Sequence, residues 1–306
     1  MSILSRDSLV HATVKIREAF CDRLFRFHSY FQDTVTAPTK QGRLTMSTRD
    51  LVIARHLFCT GQYEFDSSVR TLRFLKSMKF IPEQDVRMFD IGANIGIISI
   101  GLLLAKEIAG AVAIEPEPKN FDLLIKNVKQ NGLSEKLCCL QMAVGEAESR
   151  LTMEISPHNL GDHRVRTTPT QNASERENES SRGTIEVPSL PLQRILDLPE
   201  VKSSAAAYPS LIWLDVQGYE GYVFSGSKEL FRSGIPTVSE IWPYGIHRAG
   251  MSMEQYASVV GSIWSEYWIE RRNRYIRYPM AVFNCYLDEI GSTGHFENVI
   301  FTNGKG

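Results

Sequence analysis

Residues 86–116, which read VRMFDIGANIGIISIGLLLAKEIAGAVAIEP, decide the fold of this chain. A short apolar run is followed by a turn with two glycines, an apolar helical segment and a second short run that ends in Glu115. Short apolar runs bounded by turn residues are typical of buried parallel strands. The stretch therefore predicts a β-turn-α-β unit with a right-handed crossover.

The turn from Asp90 to Gly96 predicts a pocket for a nucleoside. Gly92 and Gly96 allow unusual backbone angles and leave room for a ligand near the backbone. Asp90 ends the first strand and can accept hydrogen bonds from an amine. Glu115 ends the second strand, where a carboxylate can accept from both hydroxyls of a ribose. The start of the helix adds free N–H groups and a positive dipole end.

The same turn distinguishes between two adenosine ligands. A dinucleotide fold uses G-x-G-x-x-G and places the pyrophosphate on the helix N-terminus. Here Asn94 stands at the middle glycine, Ile97 stands at the last, and Asp90 would repel a pyrophosphate. An acid two residues before the first glycine suits S-adenosyl-L-methionine, which carries an ammonium group. The turn favours this methyl donor over a nicotinamide or flavin dinucleotide, and a tight turn without a ligand is the remaining alternative.

Composition restricts the partners and the compartment. The 306 residues carry a net charge of −1, which gives no electrostatic case for a nucleic acid or an anionic membrane. Five cysteines form neither a disulfide framework nor a C-x-x-C metal site, so reduced thiols are expected. The longest apolar stretch, residues 95–114, is interrupted by Lys106 and Glu107. We expect a cytoplasmic protein without a membrane span or signal peptide, and the oligomeric state stays open.

The first 80 residues predict an N-terminal helical cap on the sheet domain formed by residues 81–306. Apolar residues between positions 10 and 27 recur at roughly helical spacing, with charged residues between them. Tyr63 and Glu64 fall at a turn between two cap helices. A solvated turn is the favoured interpretation, although both could reach the mouth of the cofactor pocket.

The chain after Glu115 supplies further candidates for the cofactor site. Pro116 follows directly, a helix is predicted from Pro118 to Gln130, and a third strand from Leu137 to Val144. We expect Pro116, Met142 and Ala143 to line the adenosine site. Met142 stands where many methyltransferases place an acid or an amide, so packing on the adenine ring is the role left to it.

Residues 156–183 form a polar insertion that is rich in turn formers. Residues 167–182 predict a floppy surface segment. The leading part, Asn159 to Arg164, contains His163, which can act as a base near neutral pH. A lone histidine in a loop is more often inert, so sequence chemistry alone leaves its role open.

A second set of acids follows later strands. Residues 211–216 predict a buried strand that runs into the loop Gln217-Gly218-Tyr219-Glu220, and its end lies at the same sheet edge as Asp90. Asp215 could orient or deprotonate a hydroxyl, or hold a divalent metal with other oxygens. Glu220 suits either chemistry or the start of a helix. The sequence leaves a metal requirement unknown.

Several strings closely resemble the FkbM family of S-adenosylmethionine-dependent methyltransferases. The resemblance covers about residues 60–245 and rests on their order and spacing. The strings are FDIGANIGIISI, AIEPEPKNFDLLIKNVKQNG, AVGE, NLGDHRV and LIWLDVQGYEGYVFSG. It implies an α/β fold of the class I methyltransferase type, Rossmann-like, with a sheet of about seven strands, and O-methylation of hydroxyls on macrolides, sugars and varied small molecules.

The resemblance also implies roles for single residues. The donor-binding turn would consist of Asp90, Gly92, Asn94 and Gly96, and the ribose acid would be Glu115. Asn120 matches a family position for which the sequence gives no independent role. Asp215, Gly218 and Glu220 match D-V-E-G-x-E, although Gln217 replaces the usual glutamate. The match of NLGDHRV strengthens the case for His163.

These features together predict a methyltransferase that acts on a small-molecule or carbohydrate acceptor. A hydroxyl has a high pKa, so His163 or Asp215 is expected to share its proton, with Glu220 as a further catalytic candidate, while the insertion closes as a lid. Two alternatives stay open. One is a dinucleotide oxidoreductase, and the other is a non-catalytic module that binds the donor on the same fold.

Overall fold

A computed structural model describes residues 20–166 and 181–304. Fourteen strands are found in these described ranges. In chain order they are β1 (Thr34–Thr39), β2 (Gly42–Ser47), β3 (Arg87–Ile91), β4 (Gly110–Ile114), β5 (Leu137–Leu140), β6 (Ala143–Val144), β7 (Ser149–Ile155), β8 (Arg164–Val165), β9 (Gly183–Leu190), β10 (Leu211–Leu214), β11 (Thr237–Ile241), β12 (Glu266–Arg271), β13 (Arg274–Pro279) and β14 (Glu297–Thr302).

The helices lie before, between and after these strands. The described part of the first helix, α1, covers residues 20–29. The others are α2 (Ile53–Thr60), α3 (Phe65–Ser77), α4 (Ile97–Leu104), α5 (Pro118–Gln130), α6 (Leu192–Leu196), α7 (Pro199–Lys202), α8 (Glu220–Gly226), α9 (Lys228–Arg232), α10 (Pro243–Arg248), α11 (Met253–Gly261) and α12 (Phe283–Thr293). None of the helices in the described part of the chain has the length and hydropathy needed to cross a membrane.

An eight-stranded sheet forms the centre, in the order β13-β12-β14-β11-β10-β3-β4-β5. Strands β5, β4, β3, β10 and β11 are parallel, and β14 runs antiparallel to both β11 and β12. The chain builds outward from β3 through β4 to β5 and then returns to the other side of β3 with β10. Ligands bind at such a switch point, outside the carboxyl ends of the strands. This is the doubly wound α/β fold that the sequence predicts.

The sheet has one strand more than the seven expected. Strand β13 pairs with β12 at the edge, and the hairpin between them turns at Arg272 and Asn273. Both residues have positive φ, 53° and 61°, which is the geometry of a type I′ turn and matches the twist of the two strands. The second strand of this hairpin therefore joins the main sheet as its eighth strand.

Alternation along the strands divides the interior into two cores. Met88 and Trp213 belong to one hydrophobic cluster, whereas Phe89 and Ile212 belong to the other. Successive strand residues point to opposite faces, so a sheet covered on both sides needs apolar residues at every position. This explains the unbroken apolar runs that identify β3 and β10 in the sequence.

The N-terminal segment is not entirely helical, which corrects the predicted helical cap. Strands β1 and β2 form an antiparallel hairpin within it. The side chain of Asn127 on α5 pairs with β2, because its Oδ1 accepts from the N–H of Thr45 at 2.7 Å and its Nδ2 donates to the Thr45 carbonyl at 3.0 Å. Phe25 and Leu44 share one core with Met88, so this segment packs on the sheet. The domain boundary at residue 80 stays a prediction.

A small four-stranded sheet, in the order β6-β9-β7-β8, carries the polar insertion. Strands β7 and β9 border this insertion on either side. Residues 167–180 of the predicted floppy segment lie outside the described residues. The prediction is wrong for the last residue of that segment, Arg182, because its side chain is 1% exposed and ion-paired to Asp162.

Candidate active site

A single concave pocket collects most of the predicted site residues at the carboxyl ends of β3, β4 and β10. The space between its walls is about 1020 Å³, including the part open to solvent. The predicted residues that line it are Asp90, Gly92, Asn94, Glu115, Pro116, Met142, Ala143, His163 and Asp215. Gly96 and Glu220, which were also predicted to be in the site, do not line it.

Glu115 is fixed by its neighbours and retains the capacity to bind a diol. Its Oε2 accepts from the N–H of Asn94 at 2.8 Å, and its Oε1 accepts from the N–H of Glu117 at 2.9 Å. Each carboxylate oxygen can accept a second hydrogen bond, and the side chain lines the pocket. Burial raises the pKa of Glu115 to about 8, although the two backbone N–H groups oppose this shift.

Asp90 lies deeper in the same pocket and is 2% exposed. The hydroxyl of Ser99, on the inner face of α4, donates to its Oδ2. Burial raises the pKa of Asp90 to about 6, with a smaller contribution from the negative charge of Asp215. A cationic ligand group would stabilise the ionised form of this carboxyl.

The two glycines of the turn serve the fold more than the ligand. Gly92 has a φ of +85°, and a Cβ there would collide with the backbone oxygen of Asp215. Gly96 has a φ of +86° as the N-cap of α4, and a Cβ there would meet Leu124 and Ile100. The assignment of Gly96 to the cofactor site is therefore corrected, because its Cα faces packed side chains rather than the pocket.

Two asparagines hold a loop over the pocket. The Nδ2 of Asn120, in the first turn of α5, donates to the Leu160 carbonyl at 2.8 Å, and the Nδ2 of Asn94 donates to the same oxygen at 3.5 Å. Leu160 and Gly161 contribute to the pocket wall. This gives Asn120, which had no role from the sequence, a clear function in positioning the insertion.

His163 follows in the same loop and is 8% exposed. Its Nδ1 accepts from the N–H of Ser156 at 3.0 Å. Burial lowers the pKa of His163 to about 4, and the nearby charge of Arg182 lowers it further, so the ring is neutral. A neutral ring whose Nδ1 accepts carries its proton on Nε2. His163 is therefore arranged as a hydrogen-bond donor, which corrects the prediction of a general base.

Ion pairs and ring contacts fix the residues on either side of His163. Asp162 receives two hydrogen bonds from Arg164, at 2.5 and 2.8 Å, and a further ion pair from Arg182. The guanidinium of Arg164 also lies 4.5 Å from the ring centre of Trp242, at the start of α10. The D-H-R string thus anchors the loop, and its two charged residues have structural roles.

Asp215 directly follows β10, is half-buried and lines the pocket. The Nε2 of Gln217 donates to Asp215 Oδ1 at 2.6 Å and to Glu240 Oε2 at 3.0 Å. The pKa of Asp215 is raised by burial, and that of Glu240 is raised well above its usual range by burial and by the charge of Asp215. Gln217, which takes the place of a family glutamate, thus connects two carboxyl groups.

Glu220 has a structural role, contrary to its predicted catalytic one. Its side chain is completely buried, and its Oε1 accepts from the N–H groups of Val216 and Gly218, at 3.0 and 3.2 Å. These bonds shape the loop that carries Gln217, whose φ is +54°. The structure thus places Glu220 in the first turn of α8, but its side chain bonds to the preceding loop and does not cap the helix.

Tyr63 and Glu64 line the pocket, against the solvated turn that was favoured for them. Gln41, in the β1–β2 turn, donates to the Tyr63 carbonyl at 2.7 Å and accepts from the Tyr63 N–H at 2.9 Å. The sequence does not reveal this contact, because the hairpin that supplies Gln41 was not predicted. Asn298 on β14 is a further wall residue that sequence reasoning missed.

The side chains of the pocket wall include acids and no bases. Among the described residues, four carboxyl groups line it and no lysine or arginine does. The four are Glu64, Asp90, Glu115 and Asp215. Within the same described ranges, no group of three or more His, Cys, Asp or Glu side chains is placed to hold a metal ion. The wall therefore suits a cationic nucleoside and opposes a ligand with phosphates.

The sheet order and the pocket at its switch point define a Rossmann-like α/β fold of the class I methyltransferase type. A family model for the methyltransferase FkbM domain matches residues 90–261. This match covers more than half of the chain, so the chain belongs to the FkbM methyltransferase family, as its sequence motifs predicted. No curated protein matches the chain.

Solved structures of other methyltransferases are similar at low identity. The structure of methyltransferase FkbM from Methylobacillus flagellatus KT has 13% identity and a TM-score of 0.42, with 94% of this chain and 59% of that chain covered. This chain thus spans 59% of that protein's length. Precorrin-6y C5,15-methyltransferase from Geobacter metallireducens GS-15 has 11% identity and a TM-score of 0.40, covering 80% and 89%. Methanocaldococcus jannaschii Trm5 in complex with adenosine has 11% identity and a TM-score of 0.41, covering 90% and 56%.

Proposed function

We propose that the protein transfers a methyl group from S-adenosyl-L-methionine to a hydroxyl of a small molecule or sugar. The observation that carries this proposal is the wall with four carboxyl groups, whose ionised forms a cationic ligand would favour, and no lysine or arginine among the described residues. When bound, S-adenosylmethionine supplies a methyl group on a positively charged sulfur. The residues of this chain hold the donor, align the acceptor and accept its proton.

The residues at the switch point fit the donor. Glu115 offers two fixed oxygens with spare acceptor capacity, as a ribose diol requires. Asp90 is a buried acid that forms no ion pair with a lysine or arginine in the described part of the chain, which suits the ammonium group of the amino-acid moiety. Met142 and Ala143 provide an apolar surface in the same wall for the adenine ring.

The dinucleotide alternative is disfavoured by the same wall. A pyrophosphate carries two negative charges. It is usually held by a helix N-terminus at a place without nearby carboxylates. Here it would lie close to Asp90 and Asp215, both of which line the pocket. Repulsion between these charges would oppose its binding.

Asp215 is the proposed base for a hydroxyl acceptor. It lines the pocket, and the side-chain amide of Gln217 donates to one of its oxygens. Its raised pKa makes it a stronger proton acceptor than an ordinary aspartate. His163 would orient the acceptor or the donor by donating from Nε2. The described start of the insertion, residues 156–166, would close the pocket as a lid through Leu160 and Gly161.

The acceptor is proposed to be uncharged or cationic near its reacting atom. A nucleic-acid backbone would bring phosphates towards the acidic wall, so a nucleic-acid acceptor is disfavoured. All five cysteines are free, which supports the proposed cytoplasmic location.

Isothermal titration calorimetry with S-adenosylhomocysteine tests this function directly. We expect one binding site in the full chain and none for NAD. A labelled methyl group should then pass to at least one member of a panel of sugars and hydroxylated small molecules. Absence of S-adenosylhomocysteine binding would reject the donor. Binding without transfer to any acceptor would instead favour the non-catalytic module.

A further inference from the structure

Two carboxyl groups, one in the loop after β10 and one near the end of β11, lie within hydrogen-bonding distance of the same side-chain amide. Gln217 Nε2 lies 2.6 Å from Asp215 Oδ1 and 3.0 Å from Glu240 Oε2. An amide nitrogen has two hydrogens, so it can donate one to each carboxyl. A glutamate at position 217 could not donate in this way when ionised. The amide therefore joins Asp215 and Glu240 into one unit.

Among the described residues, the main electrostatic influences on this unit come from acids and phenols in four directions. These are Tyr63 and Glu64 before α3, Asp90 on β3, Asp162 before β8 and Glu220 on α8. Three arginines, Arg164, Arg166 and Arg248, line a small neighbouring cavity together with Gln217, and Arg164 is held by Asp162. Two carboxylates that share one neutral donor among further acids cannot both ionise easily.

We propose that Gln217 holds Asp215 and Glu240 as a carboxyl pair that carries a single proton, with the proton on Glu240 and the charge on Asp215. Glu240 is 7% exposed and does not line the pocket, whereas Asp215 is half-buried and does. The buried member is the one that gains more from being neutral. The pair thus presents one ionised oxygen to the acceptor. In this reading Gln217 and Glu240 are positioning residues.

The proposal rests on the proposed function and adds to it an account of where each proton goes. As the acceptor oxygen bonds to the methyl carbon, the carbon–sulfur bond breaks and its electron pair stays on sulfur. The hydroxyl proton passes to Asp215 and leaves the pair with two protons. The second proton returns to solvent before the next turnover. No oxidant, reductant or metal is needed for this balance.

Infrared difference spectroscopy of the full chain tests the assignment without an acceptor. At pH 7, the difference between wild type and Glu240→Gln should contain the C=O band of a protonated carboxyl. The difference between wild type and Asp215→Asn should contain only the bands of an ionised carboxylate. Glu229→Gln is a matched control, because Glu229 is an exposed acid paired with Arg232 on α9. Ionised bands in both differences, or protonated bands in both, would overturn the proposal, as would a proton on Asp215 with Glu240 ionised.

Gln217→Ala tests the role of the amide. Loss of its hydrogen bond to the ionised Asp215 should raise the titration midpoint of the Asp215 band by about one pH unit, a tenfold change in proton affinity. A role confined to folding would lower the melting temperature and leave this midpoint unchanged, which would contradict the positioning role. Calorimetry with S-adenosylhomocysteine on the same samples separates the proposed function from the proposed carboxyl pair. If the wild-type protein fails to bind S-adenosylhomocysteine, the donor site is rejected. The infrared bands still test the protonation of Asp215 and Glu240.

Discussion

At the scale of single residues, Glu115 gives the sharpest test of the donor site. Glu115→Ala should weaken S-adenosylhomocysteine binding by ~2 kcal/mol, roughly 30-fold, because a pair of charge-assisted hydrogen bonds to the ribose is lost. Calorimetry at fixed pH measures the change. Asp122→Ala, at an exposed position on α5, is the control and should bind as wild type does. Equal affinities for Glu115→Ala and wild type would remove the ribose role.

Gly92 makes a prediction about stability. Gly92→Ala combines a φ of +85° with a collision between the new Cβ and the Asp215 backbone, so β3 and β10 must separate locally. We expect a loss of about 3 kcal/mol or more in the free energy of unfolding, measured in urea. Gly132→Ala is the matched control, because its φ is +68° and no atom lies within 4 Å of the added Cβ. It should cost about 1 kcal/mol. Similar losses in both variants would show that backbone strain alone matters.

These residues also show how far the sequence can specify a site. The acids at strand ends were predictable, since parallel strands bring their carboxyl ends to one edge of a sheet. Nine of the predicted residues consequently line one pocket. The protonation of His163 was not predictable, because it depends on the Ser156 N–H, seven residues away. The catalytic role predicted for Glu220 was wrong for a related reason, since its hydrogen bonds go back to the loop before it.

At the scale of elements, the loop over residues 156–166 depends on Asn120. Asn120→Ala removes the 2.8 Å hydrogen bond to the Leu160 carbonyl. The loop should open more often, with faster amide exchange in residues 156–166, and S-adenosylhomocysteine binding should weaken about fivefold, or about 1 kcal/mol. Hydrogen–deuterium exchange and calorimetry measure the two effects.

Asn131→Ala provides the control for that variant. Asn131 ends the same helix and bonds to Arg43 on β2, away from the pocket. It should alter exchange in the β1–β2 hairpin and leave the loop over residues 156–166 as in wild type. If both variants change the loop equally, Asn120 acts through the stability of α5 and does not act through its bond to Leu160.

The prediction of elements succeeded where burial sets the pattern. Strands β3, β4 and β10 are covered on both faces, so their apolar runs are unbroken and easy to recognise. The β1–β2 hairpin was missed because its strands mix polar and apolar residues and gain their stability from a tertiary contact. That contact is the Asn127 amide, 82 residues further along the chain. Tyr63 and Glu64 were misjudged as a consequence, because the hairpin turn positions them through Gln41.

At the scale of the whole molecule, the buried acids make stability depend on pH. Burial raises the pKa of Glu115 to about 8 and that of Glu220 to about 7. Between pH 6.5 and 8 the folded chain therefore holds protons that the unfolded chain has already released. The free energy of unfolding falls with pH wherever the folded state binds more protons. The stabilisation is complete below the unfolded pKa and is lost as the pH rises through the folded values.

The expected loss between pH 6.5 and 8 is about 2 kcal/mol, and urea unfolding at several pH values measures it. His163, whose pKa of about 4 is lowered by burial, acts in the opposite direction but only below about pH 6.5. Glu115→Gln should flatten the profile because it removes a group whose folded pKa, about 8, lies at the upper end of this window. Glu229→Gln, at an exposed position, should leave the slope unchanged. A free energy of unfolding that rises with pH across this window would mean that these acids are ionised in the folded chain. The single proton proposed for the Asp215–Glu240 pair would then lose its electrostatic basis.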